Sequence, residues 1–169
     1  MTTVHVELSG ETAALGEWES IAAAEALSGG RAPPEDFPRF PGLVAVRLPS
    51  AAQIDRFAGR LALARRCLES LGPLADSRAV IERVARPGQS AAVRRVGRPA
   101  SGGDPRILSV GRQWVSAGGR IDLRDPRHRL WIAPDDRGVD WLLEERGLVD
   151  RIAPQRRRMP SLPFQRPVS

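Results

Sequence analysis

The sequence predicts an α+β fold in two consecutive units, a ferredoxin-like N-terminal domain followed by a second, basic α+β domain. Three observations carry this expectation. The apolar period switches repeatedly between two residues and about 3.6. Each switch is punctuated by Gly, Pro or a residue suited to a helix cap. The chain has 169 residues, 41% of them hydrophobic, which is enough for one ordinary domain or two small ones with packed cores.

The elements of the first unit, residues 1–73, follow in order. Val4, Val6 and Leu8 alternate with His5 and Glu7, the period of a strand with one buried face. From about Leu15 to Leu27 the period lengthens, and Leu15, Trp18, Ile21, Ala22 and Ala26 share one helical face before Gly29-Gly30 ends it. Arg31 to Pro41 holds four prolines and reads as an irregular connection; Leu43 to Leu48 reads as a short apolar strand. Ser50-Ala51-Ala52-Gln53 has the spacing of a capping box, and Ile54, Phe57, Ala58 and Leu61 follow at helical intervals, so a second helix is expected. Arg66 to Leu71 returns as a strand, and Gly72-Pro73 marks the boundary. This alternation is that of a small ferredoxin-like sandwich.

In the second unit, residues 74–153, a helix is expected over Ser77 to Ala85, with Val80, Ile81 and Val84 on one side and Arg86-Pro87-Gly88 closing it. Ala91 to Val96 reads as a strand carrying Arg94 and Arg95. Asp104 suits an N-cap and Pro105 the first turn of the next helix, whose apolar stripe of Ile107, Val110, Gly111, Trp114 and Val115 leaves Arg106 and Arg112 off it. Gly118-Gly119 stops that helix. The run Arg120-Ile121-Asp122-Leu123-Arg124-Asp125-Pro126 leads into a strand from Arg129 to Ala133, and Asp135-Asp136-Arg137-Gly138 turns into a partner strand, Val139 to Leu143. Residues 154–169 hold four prolines and Arg156-Arg157-Arg158, the composition of a basic linker.

Composition narrows the functional classes. One cysteine, Cys67, excludes an intramolecular disulfide and a multi-cysteine zinc site, and its apolar neighbours suggest a buried structural thiol. His5 and His128 are the only histidines and show no metal-ligand spacing with carboxylates. No apolar window approaches the ~18 residues of a membrane span, and Met1 to Gly10 lacks the pattern of a signal peptide. A soluble, cytoplasmic chain without membrane contact is expected. Every basic residue is Arg, and Lys, Asn and Tyr are absent, a bias that genomic base composition explains. It does not explain the distribution of charge. Residues 1–76 carry 7 Arg against 10 Asp and Glu, whereas residues 77–169 carry 19 Arg against 10, so the net charge of +6 belongs to the second half.

Catalytic patterns fail on their residues. No Gly-rich turn joins a strand to a helix as a nucleotide or S-adenosylmethionine fold would need. Ala32-Pro33-Pro34-Glu35 has the outline of the Asp/Asn-Pro-Pro-aromatic loop of amino-methylating enzymes, but Ala32 cannot accept the amine's hydrogen bond and Glu35 is not aromatic. Asp135, Asp136 and Asp140 read as a solvated hairpin turn rather than a metal cluster. No Ser sits in a Gly-x-Ser-x-Gly elbow. The sequence also lacks the aromatic signature of an RNA-recognition sheet and the Gly-x-x-Gly clamp of a KH domain. The arginines remain as candidates for phosphate contact: Arg94, Arg95 and Arg98 from one sheet edge, Arg106 and Arg112 from the helix above, and Arg120, Arg124, Arg127 and Arg129 from the connection and strand that follow. Trp131 is a candidate for stacking on an unpaired base, whereas Trp114, in an apolar stripe, is expected in the core.

With these residues in view, the chain resembles the N-terminal portion of THUMP-containing tRNA-modifying proteins, most closely the tRNA guanine-N2 methyltransferases that act on position ten. The resemblance rests on Val4-His5-Val6-Glu7-Leu8-Ser9-Gly10-Glu11, Arg60-Leu61-Ala62-Leu63-Ala64-Arg65-Arg66, Ala92-Val93-Arg94-Arg95-Val96-Gly97 and Gly118-Gly119-Arg120-Ile121-Asp122-Leu123-Arg124-Asp125-Pro126. It implies a ferredoxin-like domain followed by a THUMP domain that together hold the acceptor stem and 3′ end of tRNA. Arg156, Arg157 and Arg158 would lie in a linker toward a methyltransferase domain. S-adenosylmethionine would bind that domain or a separate subunit, and this chain would hold no cofactor and no catalytic residue. The competing expectation is a protein-interaction or assembly module of a modification complex that makes no direct RNA contact. Convergence of Arg94, Arg95, Arg120 and Arg124 on one surface would favour RNA, and their pairing with Asp122, Asp125 and Asp150 would favour the alternative.

Overall fold

A computed structural model describes residues 1–8, 10–33, 37–96 and 103–147. The expectations for Arg98, Asp150 and the linker arginines Arg156, Arg157 and Arg158 lie outside the described residues. Among the described residues eight strands form one mixed sheet in the order β2-β3-β1-β4-β8-β7-β5-β6. They are β1 (Thr2–Leu8), β2 (Gly30–Arg31), β3 (Leu43–Leu48), β4 (Ala64–Pro73), β5 (Ser90–Arg95), β6 (Arg120–Ile121), β7 (His128–Pro134) and β8 (Asp140–Glu145). The helices are α1 (Ala13–Glu25), α2 (Ile54–Ala58), α3 (Ser77–Val84) and α4 (Pro105–Ser116).

In the first half, β1, β3 and β4 are antiparallel neighbours and β2 adds a two-residue edge to β3. This is the split βαβ order of a ferredoxin-like unit. In the second half, α4 crosses over between the parallel strands β5 and β7, and a hairpin joins β7 to antiparallel β8. β8 then pairs with β4, Leu68 opposite Glu145 and Pro73 opposite Trp141, so the two halves share one sheet. β4 bulges between Ser70 and Gly72, where the sheet passes from one half to the other.

The helices cover one face over two apolar clusters. Val4, Val6, Leu48, Ile54, Phe57 and Cys67 are among the members of the first, and Ile81, Val93, Trp114, Leu130, Ile132 and Leu142 are among those of the second. Phe40, Leu68, Trp131, Ala133 and Leu143 form a third on the opposite face. The proline-rich connection after β2 reaches across that face: the Asp136 N–H donates to the Arg39 carbonyl at 2.8 Å, and Phe40 packs edge-on against His5 and Trp141. β1 is therefore covered on both sides. The alternation of Val4 and Val6 with His5 promised one buried face, but the period carries no information about a distant loop that closes the other.

Three helical details depart from the sequence reading, one of them Val115, expected on the apolar stripe of α4 but 53% exposed. On α1 the buried residues are Gly16, Ser20, Ala23 and Ala24, while Leu15 and Trp18 stand 67% and 77% exposed. Small residues win the inner face because a Cβ on Gly16 would already meet Leu8 at 2.6 Å, and the Ser20 hydroxyl is satisfied by the Gly16 carbonyl at 2.7 Å. The capping box at Ser50 does not form. Ala51–Gln53 is a 3-10 turn with no side-chain cap, and the Gln53 Oε1 is buried without a partner among the described residues, although Ile54, Phe57, Ala58 and Leu61 are all buried as their spacing required.

α4 begins and ends as expected. Asp104 accepts the Arg106 N–H at 2.9 Å, with Pro105 in the first turn. At the other end the Gly119 N–H reaches the Trp114 carbonyl and the Gly118 N–H the Val115 carbonyl, a Schellman closure made possible by Gly118 at φ +94°.

Candidate nucleic-acid interface

The described arginines named from sequence fall in three places. The first is the end of the sheet where β5, β6 and β7 begin. Here the Gly88 N–H donates to the Gly118 carbonyl, the Arg120 N–H to the Gln89 carbonyl and the Arg127 N–H to the Ser90 hydroxyl, which draws Arg86, Arg120 and Arg127 to one rim. Asp122 shapes the connection by accepting the N–H groups of Arg124 and Asp125 at 3.0 and 3.1 Å; those two bonds hold its carboxyl below the usual range. Arg124 and Arg127 are exposed. Arg120 reaches Asp122 at 3.6 Å while remaining 65% exposed, a contact that water screens strongly.

Arg86 was not among the sequence candidates. Its guanidinium donates to the Arg83 and Ala85 carbonyls at 2.8 and 3.0 Å, closing the end of α3 while adding charge to the same rim. Arg112, outward on α4, lies between two grooves. One, of about 390 Å³, runs along α3 with Arg78 and Gln113; the other faces β6.

The second place is the loop-covered face of the sheet. The pairing of Arg94 with Trp131 and of Arg129 with Ala92 puts all four on that face. Trp131 is nonetheless only 7% exposed. The Arg66 guanidinium lies 4.0 Å from its ring centroid and the indole N–H donates to Glu145 at 2.9 Å, so the position a base would take is filled by Arg66. Arg66 also pairs with Glu7. Alternation along β4 was the available signal for Arg66, but its partner sits on a strand distant in sequence.

The third place is the start of α4. Arg95 points to the helix side and meets Asp104 at 3.1 Å; Arg106 pairs with both Asp104 and Asp140. The Arg106 N–H lowers the Asp104 pKa against the opposing effect of burial, helped by the Arg106 charge and the Arg95 hydrogen bond, and the Asp140 hydrogen bond raises that of Arg106. Arg95 and Arg106 thus fasten α4 to β5 and β8. Neighbours on one strand, Arg94 and Arg95 take opposite faces, and neither joins the rim that holds Arg120 and Arg124.

The hairpin carboxylates are internal as well. Asp135 is 8% exposed rather than solvated, and it accepts the N–H groups of Arg137, Val139 and the Trp141 indole. Burial alone raises its pKa, but these bonds outweigh it and the net shift is downward. His128 lies between Glu144 Oε1 at 2.6 Å and Gln89 Oε1 at 2.8 Å, and Trp114 is fully buried with its indole N–H on the Gln89 carbonyl. Among the described residues no group of three or more His, Cys, Asp or Glu is placed to hold a metal ion, and no helix is long and apolar enough to cross a membrane.

No protein-family model matches the chain, and no curated protein matches it in sequence. Solved structures do. The chain is similar to PH1313 from Pyrococcus horikoshii OT3, with 14% identity and a TM-score of 0.58 over 86% of this chain and 54% of that one. It is also similar to a 4-thiouridine synthetase solved as an RNA complex with bound ATP, with 8% identity and a TM-score of 0.53 over 86% of this chain and 41% of that one. The chain thus spans about half the length of these proteins or less. Both are THUMP-domain proteins, and the likeness shows a shared α+β fold of THUMP-like architecture.

Proposed function

We propose that this chain is a tRNA-binding module, which captures the acceptor stem and 3′ end and positions the tRNA for base modification by a catalytic domain outside residues 1–169. The carrying observation is the rim of Arg86, Arg120, Arg124 and Arg127, with Arg112 nearby, where the one described ion pair is Arg120 with Asp122. Guanidinium groups so placed neutralise phosphates and release counterions. A fold shared with a 4-thiouridine synthetase solved in complex with RNA supports the same reading. The finer assignment is guanine N2-methylation, with S-adenosylmethionine on the catalytic domain. It rests on the family resemblance of the sequence, as does the contribution of Arg98, Arg156, Arg157 and Arg158. Arg94 and Arg129 would extend the contact on the other face, and Arg95 and Arg106 would act by holding α4 in place.

The test is a binding titration with intact tRNA, tRNA lacking its single-stranded 3′ end, and a duplex of matched charge, repeated over a range of salt. Salt-sensitive binding that weakens without the 3′ end is expected. Equal affinity for all three, or no binding at low salt, overturns the proposal.

The second reading, a protein-interaction module without RNA contact, is favoured by two observations: Arg94, Arg95, Arg120 and Arg124 do not converge on one surface, Arg120 pairing with Asp122, and Leu15, Trp18, Leu108, Val115 and Leu123 are each more than half exposed. Under that reading the chain captures no RNA at low salt.

A further inference from the structure

Two apolar surfaces stand at opposite ends of the sheet, and their charges are complementary. Along the outside of α1, Leu15 and Trp18 form a ridge 67% and 77% exposed, continued by Ala22. Glu11 and Glu25 flank it and α1 contains no basic residue, although Arg31 of β2 pairs with Glu17. Beyond α4, at the β6 edge, Ile107, Leu108, Val115, Ile121 and Leu123 line an open groove of about 670 Å³ with Val93 at its floor. Leu123 is 65%, Val115 53% and Leu108 52% exposed. Arg112 lines this groove, Arg120 and Arg124 flank Ile121 and Leu123 in the chain with Asp122 between them and paired to Arg120, and α4 contains no acidic residue, so the rim keeps a net positive charge.

We propose that copies of this chain associate head to tail, the α1 ridge of one seated in the α4–β6 groove of the next. An amphipathic helix laid into an apolar groove is a recurrent mode of recognition, and here acidic flanks meet a basic rim, which favours this pairing over ridge on ridge or groove on groove. α1 lies over β1, β2 and β3, whereas the groove adjoins β5 and β6 at the far end of the sheet order. A chain therefore cannot fill its own groove with its own α1. The contact is heterologous, and it propagates unless the rotation between copies closes a ring.

Sedimentation velocity or light scattering on the full chain, freed of RNA, tests this with Trp18→Glu and Leu123→Glu, both at exposed positions. The wild type should show a concentration-dependent mass above 18.4 kDa that falls as salt rises, and each variant alone should stay at the monomer mass. An equimolar mixture of the two variants retains one intact ridge and one intact groove, so it should recover a dimer and go no further. Leu15→Glu and Val115→Glu form an independent pair that should repeat the pattern, and circular dichroism confirms that each variant is folded. A wild type that remains monomeric at every concentration, or a mixture of folded variants that fails to recover the dimer, overturns the proposal.

Discussion

On β1, His5 is 1% exposed with both ring nitrogens unpaired among the described residues, and burial lowers its pKa from 6.5 to about 4. The folded state keeps the ring neutral while the unfolded state takes a proton below pH 6.5. Between pH 6.5 and 4 the unfolded chain therefore binds more protons, and stability falls as the pH falls, by on the order of 3 kcal/mol across the window. Denaturant titrations at pH 7 and pH 4.5 should show this loss, and His5→Phe should flatten it; an unchanged profile would contradict the assignment. Asp104, Asp122 and Asp135, whose pKa values are lowered from 3.8, contribute stability above that value and lose it on further acidification, outside the His5 window. Cys67 behaves in the opposite sense, its thiol pushed up to about 12 by burial. A thiol-specific disulfide reagent at pH 8 should leave it unmodified in native buffer and label it fully in denaturant. The burial of Cys67 was legible from its apolar neighbours. The isolation of His5 was not, because Phe40 reaches it from a proline-rich segment with no periodic pattern.

The ends of α4 and the turn between β7 and β8 were more legible than helix faces, although the cap expected at Ser50 does not form. Asp104, Pro105, Gly118 and Gly138 perform the roles their residue types suggested, since caps and turns depend on backbone groups a few residues away. α1 was misoriented because large apolar side chains ordinarily mark the inner face, whereas this sheet demands the close approach that only Gly16, Ser20, Ala23 and Ala24 permit. The closing turn of α4 carries a sharper constraint. A Cβ at Gly119 would lie 2.2 Å from the Trp114 indole nitrogen, so Gly119→Ala must displace a fully buried ring or its hydrogen bond to Gln89. It should cost roughly 1–3 kcal/mol, read as a lower denaturation midpoint. Wild-type stability in this variant would show that the ring moves freely.

At the scale of the molecule, the alternating periods foretold two α+β units, yet the pairing of β4 with β8 that joins them into one sheet was not foretold, since register across units leaves no local mark. The same limit applies to charge. The excess in the second half was visible, but whether an arginine faces water or a carboxylate depends on strand register and on where α4 crosses. Arg95→Gln combined with Arg106→Gln should therefore lower the denaturation midpoint while leaving the salt dependence of tRNA binding nearly unchanged. The rim is tested by the complementary variant, Arg120→Gln, Arg124→Gln and Arg127→Gln together. The most direct measurement is the slope of log affinity for intact tRNA against log salt for this triple variant and the wild type. If the rim holds the phosphates, the slope should become shallower by about 2 to 3, roughly one per arginine, with weaker binding at low salt. An unchanged slope with wild-type affinity would contradict it.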